Sequence, residues 1–96
     1  MITKHEWFDL ILSDKSIKHS QFRILMCIWK HMDSRLQAYP SRDKIREITG
    51  SDFHTITTAT KKAAELGYLK LSYRRHNNSQ HRHRMYKGVS PKSKGS

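Results

Sequence analysis

The residues with the most chemistry to offer lie in one stretch, Arg74-Arg75-His76-Asn77-Asn78-Ser79-Gln80-His81-Arg82-His83-Arg84, with Tyr86 just beyond it. Two kinds of chemistry suit these side chains. In the first, His81 and His83 hold a divalent metal and Tyr86 attacks a DNA strand as the nucleophile of a nicking enzyme. Arg82 stands between the two histidines and would repel the metal, and no acidic residue lies near to complete the site. Neither catalysis nor a metal is therefore expected. The second chemistry, phosphate binding, needs only cations that nothing nearby neutralises. The stretch holds four arginines, three histidines and no carboxylate. Arg74, Arg75, Asn77, Arg82 and Arg84 are thus candidates for contact with a nucleic-acid backbone or with a narrow minor groove that attracts arginine.

A second candidate set lies upstream. Ile56, Ala59, Ala63 and Leu66 recur at helical spacing. Turning them inward puts His54, Thr57, Thr58 and Lys61 on the opposite face, with Phe53 at its edge and Thr55 and Lys62 flanking it. Threonine bonds base edges or phosphates through its hydroxyl and touches the thymine methyl through its own. Short side chains also let a helix approach closely, and the N-terminal end of such a helix is the end that enters a major groove. Ser41 and Arg42, at the start of the preceding helix, are candidate phosphate anchors.

These residues need a frame. Thr3 and Glu6 have capping-box spacing, with Ile2 and Trp7 as a staple, and predict a helix to about Leu12. Ser13 to His19 reads as a loop. Ser20 is a candidate N-cap for a second helix, where Phe22, Leu25, Met26, Trp29 and Met32 form a broad apolar stripe ending near Asp33. A polar loop, 34–37, leads to Tyr39-Pro40-Ser41, where proline ends one element and serine caps the next. Ile45 and Ile48 give that third helix a narrow apolar face, Gly50 suits its C-terminal turn, and Asp52 or Ser51 caps the fourth. After Gly67 the period becomes alternating: Leu69, Leu71 and Tyr73 on one face, Lys70, Ser72 and Arg74 on the other. Asn77-Asn78-Ser79 is a turn signal, and residues 80–87 return as a second strand. The fold class is mainly α with a small β-hairpin: a three-helix core plus an N-terminal helix over residues 1–87. Residues 88–96 are expected to form a flexible basic tail or linker.

The totals agree with one small basic domain. The chain has 96 residues and a formal net charge of +11. Residues 1–52 carry 9 basic and 7 acidic side chains, whereas residues 53–96 carry 10 basic and 1 acidic. That one-sided surface matches duplex DNA, although an anionic membrane surface or a disordered basic tail would share the charge. The one cysteine, Cys27, lies in an apolar run, which excludes a disulfide framework and makes a cytoplasmic setting the expectation. No apolar stretch reaches the ~18 residues needed to cross a bilayer. No cofactor and no small-molecule ligand are expected. The 7 histidines would strengthen anion binding at mildly acidic pH.

Two short helices around a glycine-containing turn, with a helix before and a hairpin after, make a helix-turn-helix with a wing. The residues Tyr39-Pro40-Ser41-Arg42-Asp43-Lys44-Ile45, Thr49-Gly50, Thr55-Ile56 and Glu65-Leu66-Gly67-Tyr68-Leu69 resemble the helix-turn-helix block of bacterial, phage and plasmid winged-helix proteins. Ser20-Gln21-Phe22-Arg23-Ile24-Leu25 is similar to the long first helix of the replication-initiation members. The resemblance implies sequence-specific binding of double-stranded DNA, with origin recognition as the expected role. A small transcriptional regulator or excisionase-like factor on an operator is the alternative. Thr60 and Ala63 stand where the family carries larger apolar residues, so the core there is expected to be thin or filled by the tryptophan-bearing helices. A protein-interaction module is a further reading, in which the helix bearing Trp7, Leu10 and Ile11 forms a homodimer, and a further domain could follow residue 87.

Overall fold

The computed structural model describes residues 2–75 and 82–91, with side chains for all of these but 73–75 and 82–83. The elements run α1 (Lys4–Ser13), α2 (His19–Lys30), β1 (Gln37–Ala38), α3 (Arg42–Thr49), α4 (Phe53–Glu65), β2 (Leu69–Arg75) and β3 (Arg82–Gly88). Four helices and a three-strand antiparallel sheet of order β1-β3-β2 make an arrangement consistent with a winged helix.

Local chemistry sets most of the helix starts. The Thr3 hydroxyl accepts from the Glu6 N–H at 3.1 Å, and the Glu6 carboxylate accepts from the Thr3 N–H at 2.7 Å. Ser41 Oγ accepts from the Lys44 N–H and starts α3. Asp52, not Ser51, caps α4 by accepting from the Thr55 N–H at 2.8 Å. Gly50 closes α3 at φ 76°, a left-handed conformation that costs a residue with a Cβ. Ser20 does not cap α2. The cap is Lys18, whose N–H donates to the Gln21 carboxamide, so the helix begins one residue before Ser20. The same helix stops at Lys30, earlier than its apolar stripe suggests.

The segment expected as a polar loop is more ordered than its composition implies. The Asp33 carboxylate accepts from the N–H groups of Arg35 and Gln37 and folds the chain back. Leu36 follows, buried, at φ 61°. Gln37 and Ala38 then pair with Lys87 and Tyr86 as a third strand. Two residues are too few to show alternation, so this strand is defined by its partner alone.

The core is built from Trp7 and Ile11 of α1, Ile24, Leu25 and Ile28 of α2, Ile45 of α3, Ile56 of α4, and Leu69 and Tyr86 of the sheet. On α4 the inward face is Ile56, Ala59, Thr60 and Ala63, all buried, and the helix packs chiefly against α2. Small residues there permit close approach. The Thr60 hydroxyl is satisfied by donating to the carbonyls of Ile56 and Thr57, both at 3.1 Å. Trp7 fills space in the core and donates from Nε1 to the Tyr68 carbonyl at 2.8 Å. Trp29 is half-buried, and its Nε1 donates to the Lys4 carbonyl.

Residues 88–91 make contacts with the rest of the fold. Gly88 ends β3, buried, and donates its N–H to the Leu36 carbonyl. The Val89 N–H donates to the Tyr68 carbonyl at 2.9 Å. A Cβ built on Gly67 would lie 3.1 Å from Pro91, which places the proline against the α4–β2 turn. Among the described residues no helix is long and apolar enough to cross a membrane.

Candidate nucleic-acid interface

The α3–α4 turn is the geometric centre of the candidate surface. Ile45 and Ile56 are buried and pin the two helices to the core, whereas Ile48, expected on the same apolar face as Ile45, is exposed. The Thr49 hydroxyl donates to the Ile45 carbonyl and accepts from the Ser51 N–H, while Arg23 of α2 donates to the Thr49 carbonyl. A short turn tied from three directions fixes how α4 leaves α3.

That geometry exposes Phe53, the first residue of α4, which keeps 38% of its surface accessible. Two guanidinium groups of α3 lie against it. Arg42 Cζ is 5.5 Å and Arg46 Cζ 4.9 Å from the ring centroid. Both distances are within cation–π range, so the ring orders two cations that would otherwise wander in solvent. Arg46 is absent from the set expected from sequence. The available signal was its i, i+4 spacing from Arg42 along one flank of α3; its approach to Phe53 depends on the turn.

Along α4, His54, Thr58 and Lys61 are exposed and Thr57 is half-buried. Their spacing places all four in one outward stripe that begins beside Phe53. Two other expected residues also have partners within the fold. Hydrogen bonds from Thr55, side chain and backbone, hold the Asp52 carboxyl below its usual range, so Thr55 belongs to the helix cap. Lys62 is half-buried on another flank, where its charge helps keep the Asp14 carboxyl deprotonated. Ser41 and Arg42 are both exposed at the start of α3, but Ser41 Oγ already accepts from Lys44. The neighbouring flank of α3 carries Asp43 and Glu47, the latter 3.8 Å from Lys44, so the basic surface does not extend that way.

The hairpin contributes differently. Its register pairs Tyr73 with Arg84, Arg74 with His83 and Arg75 with Arg82 at the end of the described ladder. Arginines are therefore consecutive on β2 and alternate with a histidine on β3 at this end of the ladder. Arg84 is half-buried, on the same side of β3 as buried Tyr86, and so belongs to the packed side of the sheet and not to the tip. Asn77, with His76 and His81, lies outside the described residues. Tyr86, the nucleophile of the nicking scheme, is fully buried. The Cys27 thiol is also buried, which pushes its pKa up and suppresses the reactive thiolate.

The chain matches no protein-family model, no curated protein and no solved structure.

Proposed function

We propose that this chain is a winged helix-turn-helix domain that binds double-stranded DNA with sequence preference, α4 lying in the major groove and the β2–β3 hairpin on the flanking backbone or minor groove. One observation carries the reading. The outward stripe His54, Thr57, Thr58 and Lys61 begins at Phe53, against which Arg42 and Arg46 are held at 5.5 and 4.9 Å. Small hydrogen-bonding side chains thus sit on the reading helix and ordered cations sit beside it. Bases can be read by the first and phosphates gripped by the second.

The division of labour follows from the charges. His54, Thr57, Thr58 and Lys61 supply selectivity through base edges and thymine methyls. Arg42, Arg46 and the hairpin's Arg74, Arg75 and Arg82 supply affinity by displacing counterions, a term that falls steeply as salt rises. The N-terminal helix and α2 hold these parts in place. The buried position of Tyr86 weighs against the nicking scheme, since that residue would have to reach a phosphodiester. The similarity of Ser20–Leu25 to replication-initiation proteins favours origin recognition as the role, with operator binding as the alternative.

Selection of bound sequences from random duplex DNA tests the proposal. Enrichment of a defined motif is the expected result. Recovery of an unselected pool at moderate salt, with no motif, would overturn it. Direct repeats in the motif indicate an origin, and a palindrome indicates a dimeric regulator.

A further inference from the structure

At the root of the hairpin, opposite its tip, a groove of about 420 Å³ runs between the N-terminus, the loop after α2 and the ends of β2 and β3. It is lined by the half-buried apolar residues Ile2 and Val89, by Leu36, which is almost wholly buried, and by the cations Arg35, Lys70 and Lys87. Lys70 and Lys87 face each other directly across the β2–β3 ladder. Like charges directly opposite one another weaken a sheet, so the pair adds no stability of its own. No carboxylate lines the groove, and none of its three cations belongs to an ion pair among the described residues. The nearest acid along the chain, Asp33, accepts from the N–H groups of Arg35 and Gln37 and also feels the Arg35 charge, so Lys70 and Lys87 are the cations it leaves to the groove.

The walls are also held in place. Leu36 is buried in the left-handed region at φ 61°, and its carbonyl accepts from the Gly88 N–H at 2.8 Å. A leucine keeps such a backbone only where its surroundings determine it. The loop carrying Arg35 is therefore fixed to the strand carrying Lys87 before any ligand arrives. The volume falls within the range of small-molecule sites, which combine an apolar interior with a few convergent polar groups.

The geometry points to a binding site for an amphipathic organic anion: an apolar body seated on Ile2 and Val89 over the buried Leu36, with a carboxylate or phosphate received by Lys70 and Lys87 and by Arg35 beside them. The ligand relieves the Lys70–Lys87 repulsion when it binds. This site is separate from the DNA surface proposed above and does not depend on it. Lys70 and Lys87 lie five residues from the Arg75–Arg82 pair, roughly 16 Å along the strands.

Amide-resolved NMR titration of the full chain tests it with four probes: octanoate, octyl phosphate, octanol and inorganic phosphate. Octanoate or octyl phosphate should give saturable shifts at Leu36, Lys70, Lys87 and Val89, and octanol and inorganic phosphate much weaker ones. A preference for octanoate marks a carboxylate site and a preference for octyl phosphate a phosphate site, and either supports the assignment. The pair Lys70→Ala and Lys87→Ala should weaken binding about tenfold or more, whereas Lys87→Arg should retain it. Equal shifts with octanol, or unchanged affinity in the double alanine variant, would overturn the site. So would loss of duplex DNA binding in that variant without any octanoate or octyl phosphate response, because the cations would then serve DNA instead.

Discussion

The Tyr68 hydroxyl donates a 2.6 Å hydrogen bond to Asp14 Oδ2, joining the α1–α2 loop to the turn that starts β2. The other carboxylate oxygen, Oδ1, accepts from the N–H and hydroxyl of Ser16. Hydrogen bonds from Ser16 and then Tyr68, with the charge of Lys62 adding to them, hold the Asp14 carboxyl below its ordinary range. Burial first, then Asp14, pushes the Tyr68 hydroxyl up to about 12. The Asp14 contribution is thus present above the ordinary carboxylate range and lost as pH falls through the lowered value. The Tyr68 contribution is present below the ordinary value of 10 and lost as pH rises towards about 12.

Tyr68→Phe is therefore expected to cost about 1.5 kcal/mol near neutral pH, the low end for a hydrogen bond to a charged group, because Asp14 is only half-buried and solvent screens it. Denaturant unfolding at neutral pH and at about pH 3 checks this. The difference between wild type and variant should shrink at the acid end, where Asp14 begins to take up its proton. Asp33 and Asp52 are also held low, by backbone hydrogen bonds from Gln37 and Arg35 and by Thr55 respectively, so both proteins should still lose stability in acid.

What could be read in advance divides by the range of the interactions. The Thr3–Glu6 capping box, the Ser41 cap and the Gly50 stop involve residues within a few positions of one another, and all are legible in sequence. Lys18 displaces Ser20 as a cap because Gln21 supplies the acceptor from inside the helix, a reversal of the usual direction. β1 escapes because two residues carry no period, and Leu36 because nothing in an isolated leucine foretells a positive φ. The outward stripe of α4 follows from helical spacing alone. The approach of Arg46 to Phe53, the flank taken by Lys62 and the packed side taken by Arg84 arise from turns and pleats between elements. Spacing within one element does not report them.

Gly88→Ala should destabilise the fold by about 1–3 kcal/mol, the usual range for overpacking. A Cβ at that position comes within 3.0 Å of both Trp7 Nε1 and Met32 Cε. The indole cannot move without straining its 2.8 Å bond to the Tyr68 carbonyl. Thermal unfolding reads the loss, and a shifted tryptophan emission in the folded variant would show that Trp7 has moved. An unchanged melting temperature would mean that the space is freely recovered.

Asp52 separates capping from charge. Asn caps a helix about as well as Asp, whereas Ala forfeits about 1 kcal/mol. Asp52→Asn should leave stability nearly unchanged and tighten DNA binding, because a carboxylate beside the α4 stripe is removed. Asp52→Ala should lower the melting temperature. Calorimetry and binding titration on the same preparations distinguish the two, and weaker DNA binding by the asparagine variant would count against placing α4 on DNA.

The Arg46–Phe53 contact makes the sharpest demand of the proposed interface. If Arg46 neutralises a phosphate, Arg46→Ala removes one displaced counterion, and the slope of log affinity against log salt should fall by about 0.9. Phe53→Leu keeps every charge but removes the ring that holds Arg42 and Arg46 at 5.5 and 4.9 Å. It should therefore lower affinity, by a cation–π increment of about 0.5–1 kcal/mol, without changing the slope. Combining the two substitutions should cost less than the sum of their separate effects, because the ring has less to order once Arg46 is gone. Fluorescence anisotropy at several salt concentrations measures all three. A slope unchanged by Arg46→Ala would remove α3 from the interface, and a slope lowered by Phe53→Leu would mean that the aromatic acts on phosphates by some route other than ordering arginine.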